Sequence, residues 1–246
     1  MPIYAPFGTP SHIGGVKFRT VVPGLDCLID NLTVPRHRHL HAYATIIVSG
    51  VLEESSYAGR VRAIPGDVLI HPDLDAHANL RVSPTLKLIR LPWHDRDGIG
   101  SVRRLGNLDE IVRAAERDIQ EAIALLAVAL AGGLAGCSGE QNDWPDLLAG
   151  DLVRSPTTCL GTWADDHGLA RETVSRGFTK AYSVAPEVFR AELRTKAAWF
   201  RVTRESERLG VIAADTGFAD QAHMSRWVQR LTGLSPSTWR RTLDLR

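Results

Sequence analysis

The sequence LGVIAADTGFADQAHMSR occupies residues 209–226 and joins a short apolar repeat, a glycine and a second amphipathic segment. The spacing predicts a helix over 209–216 that ends at Gly217, because glycine adopts the left-handed conformation that closes a helix. A second helix is predicted over 220–231, with Met224 and Val228 packed against the first. Two short helices joined by a glycine turn are the layout of a helix-turn-helix.

The same layout occurs fifty residues earlier in the chain. A helix predicted over 159–167 ends at Gly168, and a second helix is predicted over 170–181. Matching residues recur in one register, and the pairs are Ser175 with Ser225, Arg176 with Arg226, Pro186 with Pro236, Phe189 with Trp239 and Arg190 with Arg240. The sequence therefore predicts a duplicated, all-α unit over residues 157–246.

The duplicated part is also the basic part of the chain. Residues 151–246 carry 15 Lys and Arg against 11 Asp and Glu, whereas residues 1–150 carry 14 against 17. The polar faces of the two second helices carry Arg171, Glu172, Ser175 and Arg176 in the first copy and Gln221, His223, Ser225 and Arg226 in the second. Arginine forks bind guanine, and Gln and Ser hydrogen-bond to base edges. A helical bundle with a solvated polar face is the alternative, but two such copies in a basic segment favour DNA binding.

The quoted segment and its closing residues, Gly233-Leu234-Ser235-Pro236 and Trp239-Arg240, resemble the C-terminal signature of AraC/XylS-type transcriptional regulators. The resemblance implies a long helix over 186–208 between the two units, and second helices that enter successive major grooves of double-stranded promoter DNA. It implies positions near bases or backbone for Arg171, Glu172, Ser175, Arg176, Ala222, His223, Ser225 and Arg226. RNA polymerase is a further candidate partner of such a regulator.

Three residues depart from the family pattern. Ala170 stands where the family usually has an N-cap serine, so the first reading helix is expected to lose about 1 kcal/mol of capping. Ala222 replaces a common polar residue at a reading position, and Met224 replaces a common aromatic residue in the core. The fold is expected to tolerate all three, but the base preference does not follow from the family.

The first hundred residues contain short β-type runs, such as 45–48, 68–70 and 86–89, divided by turn residues such as Pro65-Gly66. Many short strands between turns are typical of a β-sandwich or β-barrel. We therefore expect a multidomain α and β protein, with an N-terminal β-domain and a C-terminal domain of two helix-turn-helix units.

A helix is predicted over 107–133, because Asn107-Leu108-Asp109-Glu110 has the form of a capping box. Its apolar residues are spaced alternately by four and three, and they are Leu108, Val112, Ala115, Ile119, Ala122 and Leu126. Such a narrow seam favours pairing with the same helix of a second subunit, so a homodimer is predicted; packing on its own domain is the alternative. Residues 137–156 are rich in Gly, Ser, Asp and Pro and are interpreted as a linker between a sensing and dimerisation region over 1–136 and the DNA-binding domain over 157–246.

A histidine cluster leads into one predicted strand. Strict alternation would place His37, His39, His41 and Tyr43 on one face, and His77 follows the next predicted strand and turn. Residues 30–80 resemble the cupin barrel that serves as the sensor domain in many AraC-type regulators. By that resemblance His37, His39 and His77 match the histidines that hold a metal in cupin enzymes, whereas Tyr43 stands where a glutamate is expected.

Three imidazoles can hold zinc, nickel, copper or iron, or they can line an effector pocket without metal. His41, like His71, is expected at the surface or behind the pocket. No acid/base pair or nucleophile accompanies the cluster, so no enzyme activity is expected. The sequence predicts a DNA-binding regulator that senses a small molecule. Two alternatives stay open: a cupin metalloenzyme fused to a DNA-binding domain, and a regulator whose barrel serves only for dimerisation.

Composition limits the other classes of protein. The apolar fraction of 44% and charged fraction of 23% are those of a globular chain and exclude disorder. Three cysteines, Cys27, Cys137 and Cys159, lack the spacing of a disulfide framework or a zinc finger. No secretory signal or membrane span is recognisable, so a cytoplasmic protein without a membrane partner is expected.

Overall fold

The computed structural model describes residues 19–22, 25–27, 33–83, 86–93, 100–132, 134–135 and 143–243. The chain divides into two compact units, Met1–Gln141 and Asn142–Arg246. The first is built mainly from strands and the second from helices, which confirms the predicted division into an N-terminal β-domain and a C-terminal helical domain. None of the helices described is long and apolar enough to cross a membrane.

The described part of the first unit contains strands from two antiparallel sheets. In chain order the strands are β1 (Arg19–Val22), β2 (Leu25–Cys27), β3 (Val34–Arg38), β4 (Tyr43–Ser49), β5 (Leu52–Ser56), β6 (Gly59–Ala63), β7 (Asp67–His71), β8 (Ala76–Val82), β9 (Lys87–Pro92), β10 (Ser101–Arg104) and β11 (Leu134–Ala135). One sheet has the order β1-β2-β9-β4-β7-β10-β11, and the other has the order β3-β8-β5-β6.

Alternation along β4 and β7 divides the core of this unit into two layers. Ile46 and Val68 are fully buried on the side of the first sheet that packs against helices. Ile47 and Leu69, their neighbours in sequence, lie on the other side and pack against Leu52 of the second sheet. Because successive side chains of a strand point to opposite faces, odd-numbered residues of β4 and β7 face the space between the sheets.

The predicted single helix over 107–133 is instead two helices, α1 (Asp109–Ala115) and α2 (Ile119–Gly132). The break has a local cause, since Asp118 Oδ1 accepts the backbone N–H of Gln120 at 2.8 Å and so begins a new helix. Asn107 Oδ1 accepts the backbone N–H two residues on, at 2.9 Å, rather than the bond three residues on that a capping box requires.

The apolar seam of these helices is used largely within the unit. Ala115, Ala122 and Leu126 are buried against the first sheet, as the alternative of packing on the helix's own domain expected. Ile119 is 37% exposed, and Val128, which lies outside the seam, is 74% exposed. The seam therefore supports the fold of one chain, and a dimer formed through these helices would use the exposed side of α2.

The second unit contains seven helices among its described residues. They are α3 (Trp144–Arg154), α4 (Leu160–Asp166), α5 (Arg171–Tyr182), α6 (Pro186–Arg204), α7 (Leu209–Asp215), α8 (Gln221–Thr232) and α9 (Pro236–Thr242). Helix α3 corrects the interpretation of 137–156 as a linker, because Leu148 and Leu152 are fully buried and the helix packs on α5 and α6. Residues 136–142, including Cys137, lie outside the described residues.

The predicted duplication is present as two successive helical triplets, α4-α5-α6 and α7-α8-α9. Gly168 and Gly217 have φ of 63° and 78°, the left-handed conformation expected at each turn. Helix α6 ends at Arg204 rather than at residue 208. The chain becomes extended at Glu205, whose carbonyl accepts a hydrogen bond from Arg240 at 3.1 Å, so that α9 holds the end of α6.

Candidate functional site

The first helix-turn-helix unit presents one face of α5 to solvent. Val174 and Phe178 are buried in the helical core, since they lie four residues apart on one side of α5. The other side carries the predicted DNA-facing residues. Of these, Arg171, Glu172 and Arg176 are exposed and Ser175 is half-buried.

The second helix-turn-helix unit, which contains α8, repeats this arrangement with different side chains. Met224 and Val228 are buried at the positions of Val174 and Phe178. The predicted DNA-facing residues lie on the other side of α8, and Gln221, Ala222 and Arg226 are exposed, whereas His223 and Ser225 are half-buried. Each unit therefore brings its predicted residues together on one helix face.

Each of the two solvent-facing sides of α5 and α8 has a side-chain contact within its own helix. In α5, Arg176 forms an exposed ion pair with Glu172 at 2.5 Å, so the guanidinium and the carboxylate act as a connected pair. In α8, Trp227 Nε1 donates to His223 Nε2 at 3.1 Å. Because that nitrogen accepts a hydrogen bond, a neutral His223 carries its proton on Nδ1 and offers a donor there.

The first unit of the chain contains a cluster of imidazoles between its two sheets. His37 comes from β3, His77 from β8, and His39 follows the end of β3. Ring centroids are 4.2 Å apart for His37 and His77, 4.9 Å for His37 and His39, and 5.2 Å for His39 and His77. Tyr43 closes one side, with its ring 4.7 Å from that of His39 and its hydroxyl 3.4 Å from His77 Nε2.

His41 does not join this cluster. Strand β3 ends at Arg38, and the chain bends through residues 40 and 41 before β4 begins at Tyr43. The alternation that would have aligned all four residues is broken at the bend, and His41 is exposed. The exposed position of His41 agrees with the expectation of a surface residue, and it corrects both the alignment with His37 and His39 that alternation predicted and the less certain assignment of His41 to the effector pocket.

His71 was expected at the surface or behind the pocket, yet it lies in the buried core of the cluster. Its ring stacks on Tyr43 with centroids 4.4 Å apart, and its Nδ1 donates to Asp75 Oδ2 at 2.9 Å. The strand pairing places His71 directly opposite Tyr43. The signal was available in the sequence, because His71 follows Leu69 at the two-residue spacing that faces the space between the sheets.

The structure also supplies a carboxylate that the motif lacks at Tyr43. Glu54 of β5 is 3% exposed, with Oε1 3.8 Å from His71 Nδ1 and Oε2 3.9 Å from His77 Nε2. Glu54 lies in the run Glu53-Glu54-Ser55-Ser56, whose polarity gives no sign of burial. Only its two-residue spacing from the apolar Leu52 could have indicated an inward side chain.

Burial sets the protonation of the cluster. It lowers the pKa of His37, lowers that of His39 to about 3 and lowers that of His77 well below its ordinary value. Burial also raises the pKa of Glu54 to about 7. For His71 the negative charge of Glu54 and the bond to Asp75 outweigh burial and raise the pKa.

The neutral imidazoles give the site its chemistry. His37 Nδ1 lies 3.0 Å from the carbonyl of Pro35, which fixes the proton on Nδ1 and leaves the lone pair on Nε2. Donor atoms of His37, His39 and His77 all lie within 4.8 Å of one another, and so do those of Glu54, His71 and His77. The cluster can therefore bind a cation through lone pairs, or bind a polar small molecule through hydrogen bonds.

Comparison with known proteins bears on the helical unit. Residues 163–242 match a family model described as "Helix-turn-helix domain". No curated protein sequence matches the chain.

Several solved structures are similar to parts of the chain. The C-terminal domain of AraT, a response regulator from Geobacillus stearothermophilus, is 17% identical; the match covers 40% of this chain and 84% of that one, with a TM-score of 0.37. The DNA-binding domain of AdpA, a global transcriptional factor in complex with a target DNA, is 18% identical, with coverages of 41% and 93% and a TM-score of 0.38. ToxT from Vibrio cholerae is 8% identical, with coverages of 87% and 96% and a TM-score of 0.40.

The family match begins within α4 and ends with α9, so it contains nearly all of both helical triplets. The repeated glycine turns, the buried positions of α5 and α8 and the closing Ser235-Pro236 lie within the matched residues. Residues 163–242 of the chain therefore form a helix-turn-helix domain of the AraC type.

Proposed function

We propose that the protein is a sequence-specific transcriptional regulator that reads promoter DNA with α5 and α8 and senses a small molecule with its N-terminal unit. One observation carries the DNA-binding part. In both helices the fourth and eighth residues are buried, and the first, second and sixth are exposed. The exposed positions are the same in α5 and α8, whereas the side chains at those positions differ. This supports the proposal that both helix faces contact DNA but recognise different base pairs.

Each exposed residue has a chemistry suited to a duplex. Arg176 and Arg226 would bind O6 and N7 of guanine through their guanidinium forks, and Gln221 would bind adenine. Glu172 would accept a hydrogen bond from the amino group of cytosine while holding Arg176 in place. The two helices would enter successive major grooves, with phosphate contacts adding affinity that falls with salt.

The test begins with duplexes selected from random DNA by the full-length protein, followed by titration of the preferred sequence using fluorescence anisotropy. Arg176→Ala and Arg226→Ala are each expected to weaken specific binding by about 1–3 kcal/mol, because each removes a bidentate contact to a base. Arg154→Ala is the matched control, since Arg154 is exposed on α3 outside both reading helices. It should keep the discrimination between specific and random duplexes. Unchanged specific affinity in both reading-helix variants would contradict the proposal.

The sensing part of the proposal uses the space between the two sheets, which we take as a cupin-like barrel. His37, His39, His77 and Tyr43 would line the effector pocket, and the polar rings favour a polar effector over a purely apolar one. An effector changes DNA binding only if it binds one arrangement of the protein more tightly than the other.

A thermal-shift screen of small polar metabolites tests the pocket, because a ligand of the native state raises the melting temperature with its concentration. His39→Ala should abolish the shift, whereas His41→Ala, which changes an exposed histidine of the same segment, should keep it. Ligands whose shifts survive His39→Ala would place the effector elsewhere. A screen without any concentration-dependent shift would favour a barrel that does not sense.

A further inference from the structure

We propose that Glu54, His71 and His77 bind one divalent transition-metal ion, with Asp75 orienting His71. This set of ligands differs from the three histidines of the sequence motif, His37, His39 and His77, and only His77 belongs to both sets. The site does not depend on the proposed regulation, because metal binding concerns the N-terminal unit and is measured without DNA.

The position of the three ligands favours a fixed site. Glu54 lies on β5, His71 on β7 and His77 on β8, so both sheets contribute. Their donor atoms lie within 4.8 Å of one another, and each side chain is only 2–3% exposed. Ligands carried by paired strands are held more rigidly than ligands on loops, which favours binding without rearrangement of the backbone.

Asp75 supplies the second contact that metal-bound histidines usually have. Its Oδ2 accepts the Nδ1 proton of His71 at 2.9 Å, which fixes the tautomer and leaves Nε2 with a lone pair. A carboxylate behind a histidine orients the ring and makes it a stronger ligand. Asp75 is itself buried, so the arrangement is enclosed by protein rather than formed at the surface.

Unsatisfied polar atoms point to a missing binding partner. Among the described residues, His77 Nδ1, His39 Nε2 and Asp75 Oδ1 are buried without a hydrogen-bond partner. Buried polar atoms are nearly always paired, because an unpaired one has lost its bonds to water without replacement. Of these atoms, His77 Nδ1 belongs to a proposed ligand and Asp75 Oδ1 to the residue that orients His71, so both lie at the proposed site.

The donor set determines the class of ion. Two imidazoles and one carboxylate suit zinc, iron, nickel or cobalt, whereas calcium and magnesium prefer oxygen ligands alone. The carboxylate of Glu54 also offsets part of the charge of the ion, which the three histidines of the motif cannot do. Three protein ligands leave a coordination position for water or another molecule.

The test uses full-length protein without a histidine tag, stripped with a chelator and titrated with Zn²⁺ by calorimetry and with Co²⁺ by visible absorption. Wild-type protein should bind one ion per chain and show the d–d bands of coordinated Co²⁺. Glu54→Gln and His71→Gln should lose stoichiometric binding, and Asp75→Asn should weaken it by about 10- to 100-fold. The control His41→Gln, which alters an exposed histidine outside the cluster, should keep the affinity of the wild type, and His39→Gln tests the three motif histidines as the alternative site.

Two results would overturn the proposal. Wild-type protein that binds neither ion would contradict the proposed site, and loss of binding in His39→Gln with full binding in Glu54→Gln would assign the ion to the three motif histidines.

Thermal melting checks that each variant is folded. Glu54→Asp, which keeps the charge but shortens the side chain, gives a milder variant that should weaken binding and shift the Co²⁺ bands. DNA binding measured on the same samples separates failure of the metal site from failure of the regulator proposal.

Discussion

Asp151 connects α3 to the first helix-turn-helix unit. Its Oδ2 accepts the indole N–H of Trp163 at 2.7 Å, and its other oxygen pairs with Arg154. The bond from Trp163, followed by that from Arg154, lowers the pKa of Asp151. A segment whose composition indicates a linker is therefore bound to α4 by one carboxylate.

The lowered pKa predicts how this contact depends on pH. Because the pKa is lower in the folded than in the unfolded chain, the stabilisation is complete above the unfolded value of about 3.9 and is lost as pH falls below it. Asp151→Asn should therefore lower the melting temperature at pH 7, and the difference from the wild type should shrink below about pH 4. Thermal unfolding of the full-length chain at pH 7, 5 and 3 measures this difference. A constant difference across the series would show that the charge of Asp151 does not stabilise the fold.

At the scale of the element, the two reading helices begin differently. Asp220 Oδ1 accepts the backbone N–H of His223 at 2.6 Å and caps α8, whereas Ala170 begins α5 without a side-chain cap, as its sequence predicted. Asp220→Ala should lower the free energy of unfolding by about 1 kcal/mol, and Ala170→Ser should raise it by a similar amount. Urea unfolding of both variants measures the two changes. Equal changes of the same sign would contradict capping as the cause.

Glycine substitutions test the packing of α3 on α5. A Cβ on Gly177 of α5 would lie 2.3 Å from Cζ2 of Trp144 in α3, so the indole would have to move. On Gly150 of α3 a Cβ would lie 3.4 Å from the flexible end of Arg154. Both glycines are helical, and alanine is favoured over glycine in a helix by up to about 1 kcal/mol.

The two substitutions should therefore have opposite signs. Gly177→Ala should destabilise the protein by about 1–3 kcal/mol through overpacking, whereas Gly150→Ala should stabilise it by up to about 1 kcal/mol. Urea unfolding of the two variants decides the signs. A stabilising Gly177→Ala would mean that Trp144 does not rest on α5 in solution.

At the scale of the whole molecule, dimerisation stays a prediction, and the exposed side of α2 is the candidate interface. Val128 is the most exposed of the large apolar residues described. If two chains pair there, Val128→Glu should yield monomers, because a charge buried in the interface would lack a partner. The monomer should keep its fold, since Val128 does not contribute to the buried core. Sedimentation at micromolar concentration is the measurement, and a wild-type monomer, or a Val128→Glu dimer, would exclude this face.

The sequence alone determined the helix-turn-helix part of this protein. A helix period, a glycine at each turn and buried positions four residues apart are local features, so the pattern around Gly168 and Gly217 specified both units. Local patterns also have limits. The capping-box pattern at Asn107 predicted one helix, but Asp118 caps a second helix eleven positions further on and so divides the segment in two.

The tertiary structure alone decided the composition of the buried cluster and the role of α3. Glu54 and His77 lie on the paired strands β5 and β8 of one sheet, and His71 lies on β7 of the other sheet, so the three meet only because the two sheets face each other. The sequence supplied the three motif histidines but neither the carboxylate nor His71. Alternation along a strand determines which face a side chain takes, but the register and packing of distant strands decide which side chains meet there.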